Sequence, residues 1–293
     1  MKIALSGASG SLGNILNEFF QSKYDIYPIS LRAENYDQVN SLEPNIDLLI
    51  HLASLNASLK NSNDSHEELG IAKKAIDLCK SKKIGSLIFF STTQVYESSL
   101  QNNNIKIFTE EDKCNPSSIY ADAKLDCEKY LSNECQINKI NLVILRASPY
   151  IDLKSKSKIS LLGNIAIKFK LIIEFSKGNE NSRSFLTRKN LLLSVENTIN
   201  YLMKRETLIS DTFNLADRYP VSTNEIVNII AASQGVSPFR IKVPRILELI
   251  ASKMPFIRNV YVNLISNHSV KSELLQKKLD VELLESNQSI LND

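Results

Sequence analysis

Residues 2–20 read Lys2-Ile3-Ala4-Leu5-Ser6-Gly7-Ala8-Ser9-Gly10-Ser11-Leu12-Gly13-Asn14-Ile15-Leu16-Asn17-Glu18-Phe19-Phe20. Ile3, Ala4 and Leu5 form a short apolar run of the kind a buried parallel strand shows. Leu12, Ile15, Leu16, Phe19 and Phe20 then return at helical spacing. The stretch predicts strand, glycine-bearing turn, helix. Gly7 lets the chain turn sharply, Gly10 lets backbone approach a pyrophosphate, and Gly13 lets the helix pack closely. A helix that starts there turns unpaired N–H groups and a partial positive charge towards an anion. The spacing is G-x-x-G-x-x-G, and its place directly after a strand gives weight to a glycine triplet that carries little alone.

Working outward, residues 26–31 (Ile-Tyr-Pro-Ile-Ser-Leu), 47–53 and 84–90 read as further strands. The polar segment 33–45 leaves a third strand abbreviated or missing. Residues 55–68, rich in Asn and Ser, read as a loop entering a helix over 69–81, whose Ile71, Ala72, Ala75, Ile76 and Cys79 share one face. This alternation predicts an α/β fold, a doubly wound parallel sheet with right-handed crossovers and a smaller C-terminal lobe. The expected division is 1–150 plus about 186–217 for the sheet domain, and about 151–185 plus 218–293 for the lobe. In the lobe, Ile226, Ile229 and Ile230 make one apolar face, and Leu247, Leu249 and Ile250 make another; both read as core packing. The polar tail after Asp280 reads as fraying.

Composition excludes several classes. With 293 residues, 43% hydrophobic and 23% charged, the chain has the balance of an ordinary globular protein. Met1-Lys2 leads within a few residues to Ser6-Gly7, without the apolar core of a signal peptide, so a cytoplasmic location is expected. Residues 159–175 and 246–265 are the most apolar later stretches, but Lys168, Lys170, Glu248, Lys253 and Arg258 interrupt them; no membrane insertion is expected. Cys79, Cys114, Cys127 and Cys135 show no C-x-x-C pair and have three histidines for company, so neither a metal site nor a disulfide frame is expected. Residues 1–150 carry 15 basic and 18 acidic groups, net −3, whereas residues 151–293 carry 20 and 14, net +6. That excess suits an anionic small molecule, and no arginine-rich nucleic-acid patch accompanies it.

Two stretches carry chemistry. Ser91-Thr92-Thr93-Gln94-Val95-Tyr96 puts three hydroxyls at the carboxyl end of a parallel strand, the edge where open α/β sheets bind ligands. Tyr120-Ala121-Asp122-Ala123-Lys124 opens a helix on which Tyr120 and Lys124, four apart, share a face. An ammonium beside a phenol favours the phenolate and lowers a pKa that starts near about 10, giving a general base usable near neutral pH. Arg32, after the second strand, stands where a basic residue favours a 2′-phosphate, so NADP is preferred over NAD.

With these pieces in order, the chain resembles the extended short-chain dehydrogenase/reductase family, in its nucleotide-sugar epimerase and dehydratase group. The resemblance rests on Gly7-x-x-Gly10-x-x-Gly13, His51-Leu52-Ala53, Phe90-Ser91-Thr92-Thr93-Gln94-Val95-Tyr96, Asn115-Pro116-Ser117-Ser118-Ile119-Tyr120 with Lys124, and Leu145-Arg146. Ser182-Arg183-Ser184-Phe185-Leu186 and Thr212-Phe213-Asn214-Leu215-Ala216 agree more loosely. It implies a Rossmann-like domain and a cytoplasmic enzyme of cell-surface polysaccharide biosynthesis. NAD or NADP would bind through Gly7, Ser9, Gly10, Ser11, Leu12, Gly13, Arg32, Leu52, Ala53, Ser91, Tyr120 and Lys124. Tyr120 would move the proton while hydride passes to or from nicotinamide, Lys124 would bind the nicotinamide ribose, and Thr92 would hydrogen-bond the reacting sugar oxygen. Thr92, Thr93 and Arg183 would contact the nucleotide-sugar substrate, Arg183 at a phosphate. Helices around Ile71 and Tyr120 are the candidates for a homodimer contact.

Departures from the family pattern bear on the substrate. Ala147-Ser148-Pro149-Tyr150-Ile151 replaces an asparagine-bearing stretch, Glu67-Glu68-Leu69-Gly70-Ile71 stands for Asn-x-x-Gly-Thr, and Thr187-Arg188-Lys189-Asn190 stands for Val-x-Asp. A second substrate arginine has only Arg240, Arg245 and Arg258 as candidates. Thr93-Gln94 lacks the Asp-Glu pair of the dehydratases, which disfavours dehydration. The expectation is therefore an NAD(P)-dependent nucleotide-sugar epimerase, with an NADPH-dependent 4-keto-sugar reductase as the alternative. A non-catalytic NADP-binding regulatory protein is the alternative of another class.

Overall fold

The computed structural model describes residues 1–31, 39, 42, 45–55, 62–97, 105–151, 158–175, 180–204, 206–254, 258, 261–262 and 264–291. Arg32 lies outside the described residues. The chain forms two compact units: Met1–Tyr96 with Lys113–Ala147 and Val195–Phe213, and Glu97–Asp112 with Ser148–Ser194 and Asn214–Asp293. These cut the chain elsewhere than the domain limits read from the sequence. Residues 107–108 pair in a short parallel ladder with 269–270, and Thr187 and Asn190 bond to Asp217, so both segments group with the second unit.

The first unit is built on a six-stranded sheet of β1 (Lys2–Ser6), β2 (Asp25–Ile29), β3 (Leu48–His51), β4 (Ser86–Thr92), β6 (Asn141–Ala147) and β8 (Ser210–Leu215), in the order β2-β1-β3-β4-β6-β8. The four pairs from β2 through β6 are parallel. This is the α/β, Rossmann-like architecture expected. Helices α1 (Ser11–Phe20), α2 (Ser62–Lys82) and α3 (Ile119–Asn138) lie in the crossovers, and α5 (Arg188–Met203) precedes β8. Pro28 sits in the edge strand β2, opposite Leu5, where its missing N–H interrupts no inner ladder.

Alternate strand residues point into one layer: Ala4, Leu49, Leu87, Phe89, Leu142 and Ile144 meet Ile71, Ala75, Ile76 and Cys79 of α2 and Cys127 and Leu131 of α3. Period two on the strands meets period 3.6 on the helices, as burial of both requires. The strand order reverses between β1 and β3, so the carboxyl ends of these strands open a crevice at a topological switch point. Helix α2 starts at Ser62, inside the stretch that reads as loop. Low propensity of Asn and Ser is a weak term, and packing of the helix overrides it.

The second unit has its own core, in which Ile151, Ala166, Ile172, Phe185, Ile226 and Ile230 are buried together. Helices α4 (Lys158–Phe169) and α6 (Thr223–Ser233) pack on each other beside a parallel pair, β7 (Leu171–Glu174) with β9 (Phe239–Lys242). A capping box of Ser222 and Glu225 fixes the start of α6. β5 (Ile107–Phe108) pairs with β10 (Ser269–Val270), and α8 (Glu273–Leu279) follows.

Two expectations fail here. The tail does not fray. It forms α9 (Ser286–Leu291), Leu283 is fully buried, Ser286 donates to Asp217 Oδ2 at 2.6 Å, and Asn190 bonds the Leu284 backbone. Polar residues hold the tail because the buried Asp217 carboxylate needs donors. The second correction concerns α7 (Arg245–Lys253). Leu247, Leu249 and Ile250 are exposed, and Glu248 is the residue that faces inward, donated to by Tyr261 Oη at 2.7 Å. An apolar stripe states that a helix has two faces, but not which of them the protein covers.

Candidate active site

The crevice begins at the glycine turn. Gly7 has φ +80°, and a Cβ there would lie 2.7 Å from the Ala53 backbone nitrogen; a Cβ on Gly13 would lie 2.1 Å from the Gly7 carbonyl oxygen. Neither position accepts a side chain. Gly10 donates its N–H to the Gly7 carbonyl at 3.0 Å and caps α1 without a side-chain bond, and Ser9, Gly10 and Ser11 are exposed, so N–H groups of the first helical turn are open to a ligand. Across the switch point the Leu52 N–H donates to the Ser6 carbonyl at 3.0 Å, which fixes Leu52 and Ala53 beside Gly7. The Ser54 hydroxyl in the same loop is buried without a hydrogen-bond partner. An uncapped helix start, a Cβ-free cradle and an orphaned hydroxyl fit a dinucleotide.

Ser91 and Thr92 end β4, and Thr93 opens the following 3-10 turn, Thr93–Val95. Thr92 Oγ1 accepts the Gln94 N–H at 3.2 Å, which orients the hydroxyl and leaves its proton for another acceptor. Ser118 caps α3 by accepting the Ala121 N–H at 3.2 Å, and Tyr120 stands in the first turn.

Lys124 comes one turn later and is 2% exposed. Its ammonium donates to the Phe90 carbonyl at 3.2 Å, pairs with Glu68 Oε1 at 3.0 Å and lies 4.8 Å from the Phe89 ring centroid. Glu68, also 2% exposed, accepts the Leu55 N–H at 2.8 Å. One carboxylate of α2 therefore joins the loop after β3 to the lysine of α3. A further group is held neutral nearby: burial, and after it the Lys124 charge, push the His51 pKa down to about 3, and neutral His51 shares a 2.6 Å hydrogen bond with Ser6.

The phenol departs from expectation. Burial pushes the Tyr120 pKa above its ordinary value; Lys124 pulls it down, but Glu68 pushes it up again. The depression expected from the lysine alone does not result, because burial of the phenol outweighs the ammonium's field and a carboxylate offsets part of it. Lys124 itself is pushed up: its burial favours the neutral form, but Tyr120 and Glu68 outweigh that.

The third face-sharing residue of α3 is Glu128. It accepts two bonds from Arg146 Nε at 3.1 and 3.2 Å and one from Arg146 Nη2 at 2.7 Å, and the Ser91 hydroxyl also donates to it. Arg146 Nη1 reaches Tyr96 Oη at 2.7 Å. Tyr96, Glu128 and Arg146 thus lock the carboxyl end of β4 to α3. The sequence reading missed Glu68 and Glu128. Glu128 had a signal, the repetition Tyr-x-x-x-Lys-x-x-x-Glu; Glu68 had none that told it from Glu67.

Arg183 belongs to the second unit, in isolated bridges to Val221 and His268 rather than in a strand. Its Nη1 donates to the Ser266 hydroxyl at 2.9 Å, and burial pushes its pKa down to about 10. Arg240, a candidate second arginine, pairs with Glu174 at 3.0 Å.

Three comparisons bear on this site. No curated protein matches the chain. Among solved structures, UDP-N-acetylglucosamine 4-epimerase from Bacillus cereus superposes with a TM-score of 0.77 at 17% identity, over 100% of this chain and 94% of that one. UDP-glucuronic acid 4-epimerase from the same organism, in complex with NAD, gives 0.70 at 16% over 99% and 94%, and dTDP-glucose 4,6-dehydratase from Bacillus anthracis, also with NAD, gives 0.68 at 16% over 100% and 94%. At these identities the likeness is one of fold. The sequence profile of one family matches residues 3–151, which hold the glycine turn, Thr92, Tyr120 and Lys124. The chain belongs to the NAD dependent epimerase/dehydratase family.

Proposed function

We propose that this chain is an NAD(P)-dependent nucleotide-sugar epimerase, with Tyr120 as the acid and base at a sugar hydroxyl. The observation that carries the reading is the buried Lys124, anchored beneath the carboxyl end of β4 one helical turn from Tyr120. Gly7, Ser9, Gly10, Ser11, Leu12 and Gly13 would bind the dinucleotide's diphosphate, with Leu52, Ala53 and Ser91 along its nicotinamide half and Lys124 at the ribose. Arg32 would select a 2′-phosphate if the nucleotide is NADP, and recovered NAD would revise that role. The bound nucleotide supplies the hydride acceptor and donor. Tyr120 takes the proton of the sugar hydroxyl in the oxidising direction and returns it in the reducing one, while Thr92 orients that oxygen. Thr93 and Arg183 would hold the substrate, Arg183 at a phosphate. The 4-epimerase activities named for two of the superposed structures support this substrate class.

A second reading, reduction of a 4-keto sugar, has one observation in its favour. Tyr120 is pushed towards its protonated form, which suits donation of a proton to a forming alkoxide. A cytoplasmic location and a homodimer through α2 and α3 complete the proposal.

Denaturing the purified protein and identifying the released nucleotide tests it. An epimerase returns hydride to its substrate each cycle and retains NAD; a reductase exchanges its cofactor, so an empty protein that takes up NADPH points to reduction. Tyr120→Phe should lower turnover by about 10²- to 10⁴-fold with nucleotide binding retained. Undiminished turnover would refute the mechanism, and a wild-type protein that binds nucleotide but turns over neither nucleotide sugars nor 4-keto sugars would mark a non-catalytic binder.

A further inference from the structure

Helix α7 is built inside out. On a 3.6-residue wheel Ile246, Leu247, Leu249, Ile250 and Met254 occupy the outward arc, each between 46% and 69% exposed, and Glu248 at 5% points inward. The inversion is fixed from within, since Glu248 is bonded to Tyr261, itself buried and in edge contact with Phe175. The strand that leads into the helix repeats the pattern, with Phe239 and Ile241 of β9 exposed, Phe239 to 83%. Seven large apolar side chains left to solvent within sixteen residues are more than a scatter of surface residues.

Charge identifies the occupant. Across residues 239–258 the sequence has five basic residues, Arg240, Lys242, Arg245, Lys253 and Arg258, and one acidic residue, the buried Glu248. Lys242, Arg245, Lys253 and Arg258 are exposed, so the ionised groups flanking the apolar arc are of one sign. A second copy docked on this face about a two-fold axis would bring like charges together. A surface of anionic headgroups over an apolar layer complements both features. Nine residues make a helix of roughly 13 Å, far short of a bilayer's apolar core of about 30 Å, and no helix among the described residues is long and apolar enough to cross a membrane.

We propose that α7 and the strand leading into it dock the protein on the surface of a bilayer carrying anionic lipids, with Ile246, Leu249 and Ile250 entering the headgroup layer and Arg245 and Lys253 contacting phosphates. The helix lies on the membrane and does not span it. The inference is independent of the reaction.

The test is co-sedimentation of the full chain with vesicles of phosphatidylcholine alone and of phosphatidylcholine mixed with phosphatidylglycerol. Binding should favour the anionic vesicles by about tenfold or more and weaken with salt. The double variant I246S/L249S, altered where side chains are already solvated, should lose about tenfold in vesicle affinity with an unchanged thermal melt. The charge variant R245E/K253E should lose affinity for anionic vesicles alone. A wild-type protein that stays in the supernatant with both vesicles would overturn the proposal, as would equal pelleting of I246S/L249S. Sedimentation that shows a dimer without vesicles, dissolved by I246S/L249S, would assign the face to a second copy instead.

Discussion

Helices α3 and α7 solve opposite problems. On α3 the apolar residues Ala121, Cys127 and Leu131 are buried as the pattern demands, and two charged residues, Lys124 and Glu128, are buried with them. Both charges have partners of opposite sign within 3.0 Å, Lys124 with Glu68 and Glu128 with Arg146. On α7 one charged residue is buried through a hydrogen bond with a tyrosine, and the apolar residues are left outside. The difference separates two reasons for violating the rule that apolar side chains go inside. In α3 the violation is compensated within the same unit and surrounds groups suited to chemistry. In α7 nothing among the described residues compensates it, and the proposed membrane contact would.

The sharpest way to break the comparison is to remove one partner of the α3 charges. Lys124→Met leaves Glu68 buried without its counter-ion and should destabilise the protein by about 3–5 kcal/mol in urea denaturation. A change within error would show that the pair is not buried in solution. Next in size is a matched pair of truncations. Leu131→Ala empties a fully buried site and should cost about 2–5 kcal/mol, whereas Leu249→Ala on α7 should stay within about 0.5 kcal/mol. Equal losses would mean that α7 is covered in the free protein.

Electrostatic effects follow. Glu68 raises the Tyr120 pKa, so Glu68→Gln should lower it. The midpoint of phenolate ultraviolet absorbance, isolated by difference from Tyr120→Phe, would then move to lower pH, and an unmoved midpoint would reduce Glu68 to a structural tie. A pH-dependent effect concerns His51. Its folded pKa of about 3 lies below the ordinary value of 6.5, so the unfolded chain takes up the proton first. The stability due to neutral His51 is complete above about pH 6.5 and drains as pH falls towards 3, by at most about 1.4 kcal/mol per pH unit. Thermal melts of His51→Asn should show a shallower acid slope than wild type, and an equal slope would place the acid sensitivity elsewhere.

Sequence alone determined the sheet, the glycine turn and the placing of Thr92 at a strand end and of Tyr120 and Lys124 on one helix, because these are local. Strand and helix periods, a glycine at positive φ and residues four apart on one helix are fixed by neighbours in the chain. The side of α7 that the protein covers was decided by Tyr261, thirteen residues away, and the ordering of the tail by Asp217, about seventy residues before it. The protonation of Tyr120 was decided first by its burial, to which Glu68, fifty-two residues earlier on another helix, adds against the pull of Lys124. A pKa sums every charge within a few ångströms, and burial depends on what packs from outside; neither quantity is contained in the spacing of residues along one element. Tertiary structure therefore decided how the ionisable groups around Lys124 are tuned and which face of α7 is left to solvent.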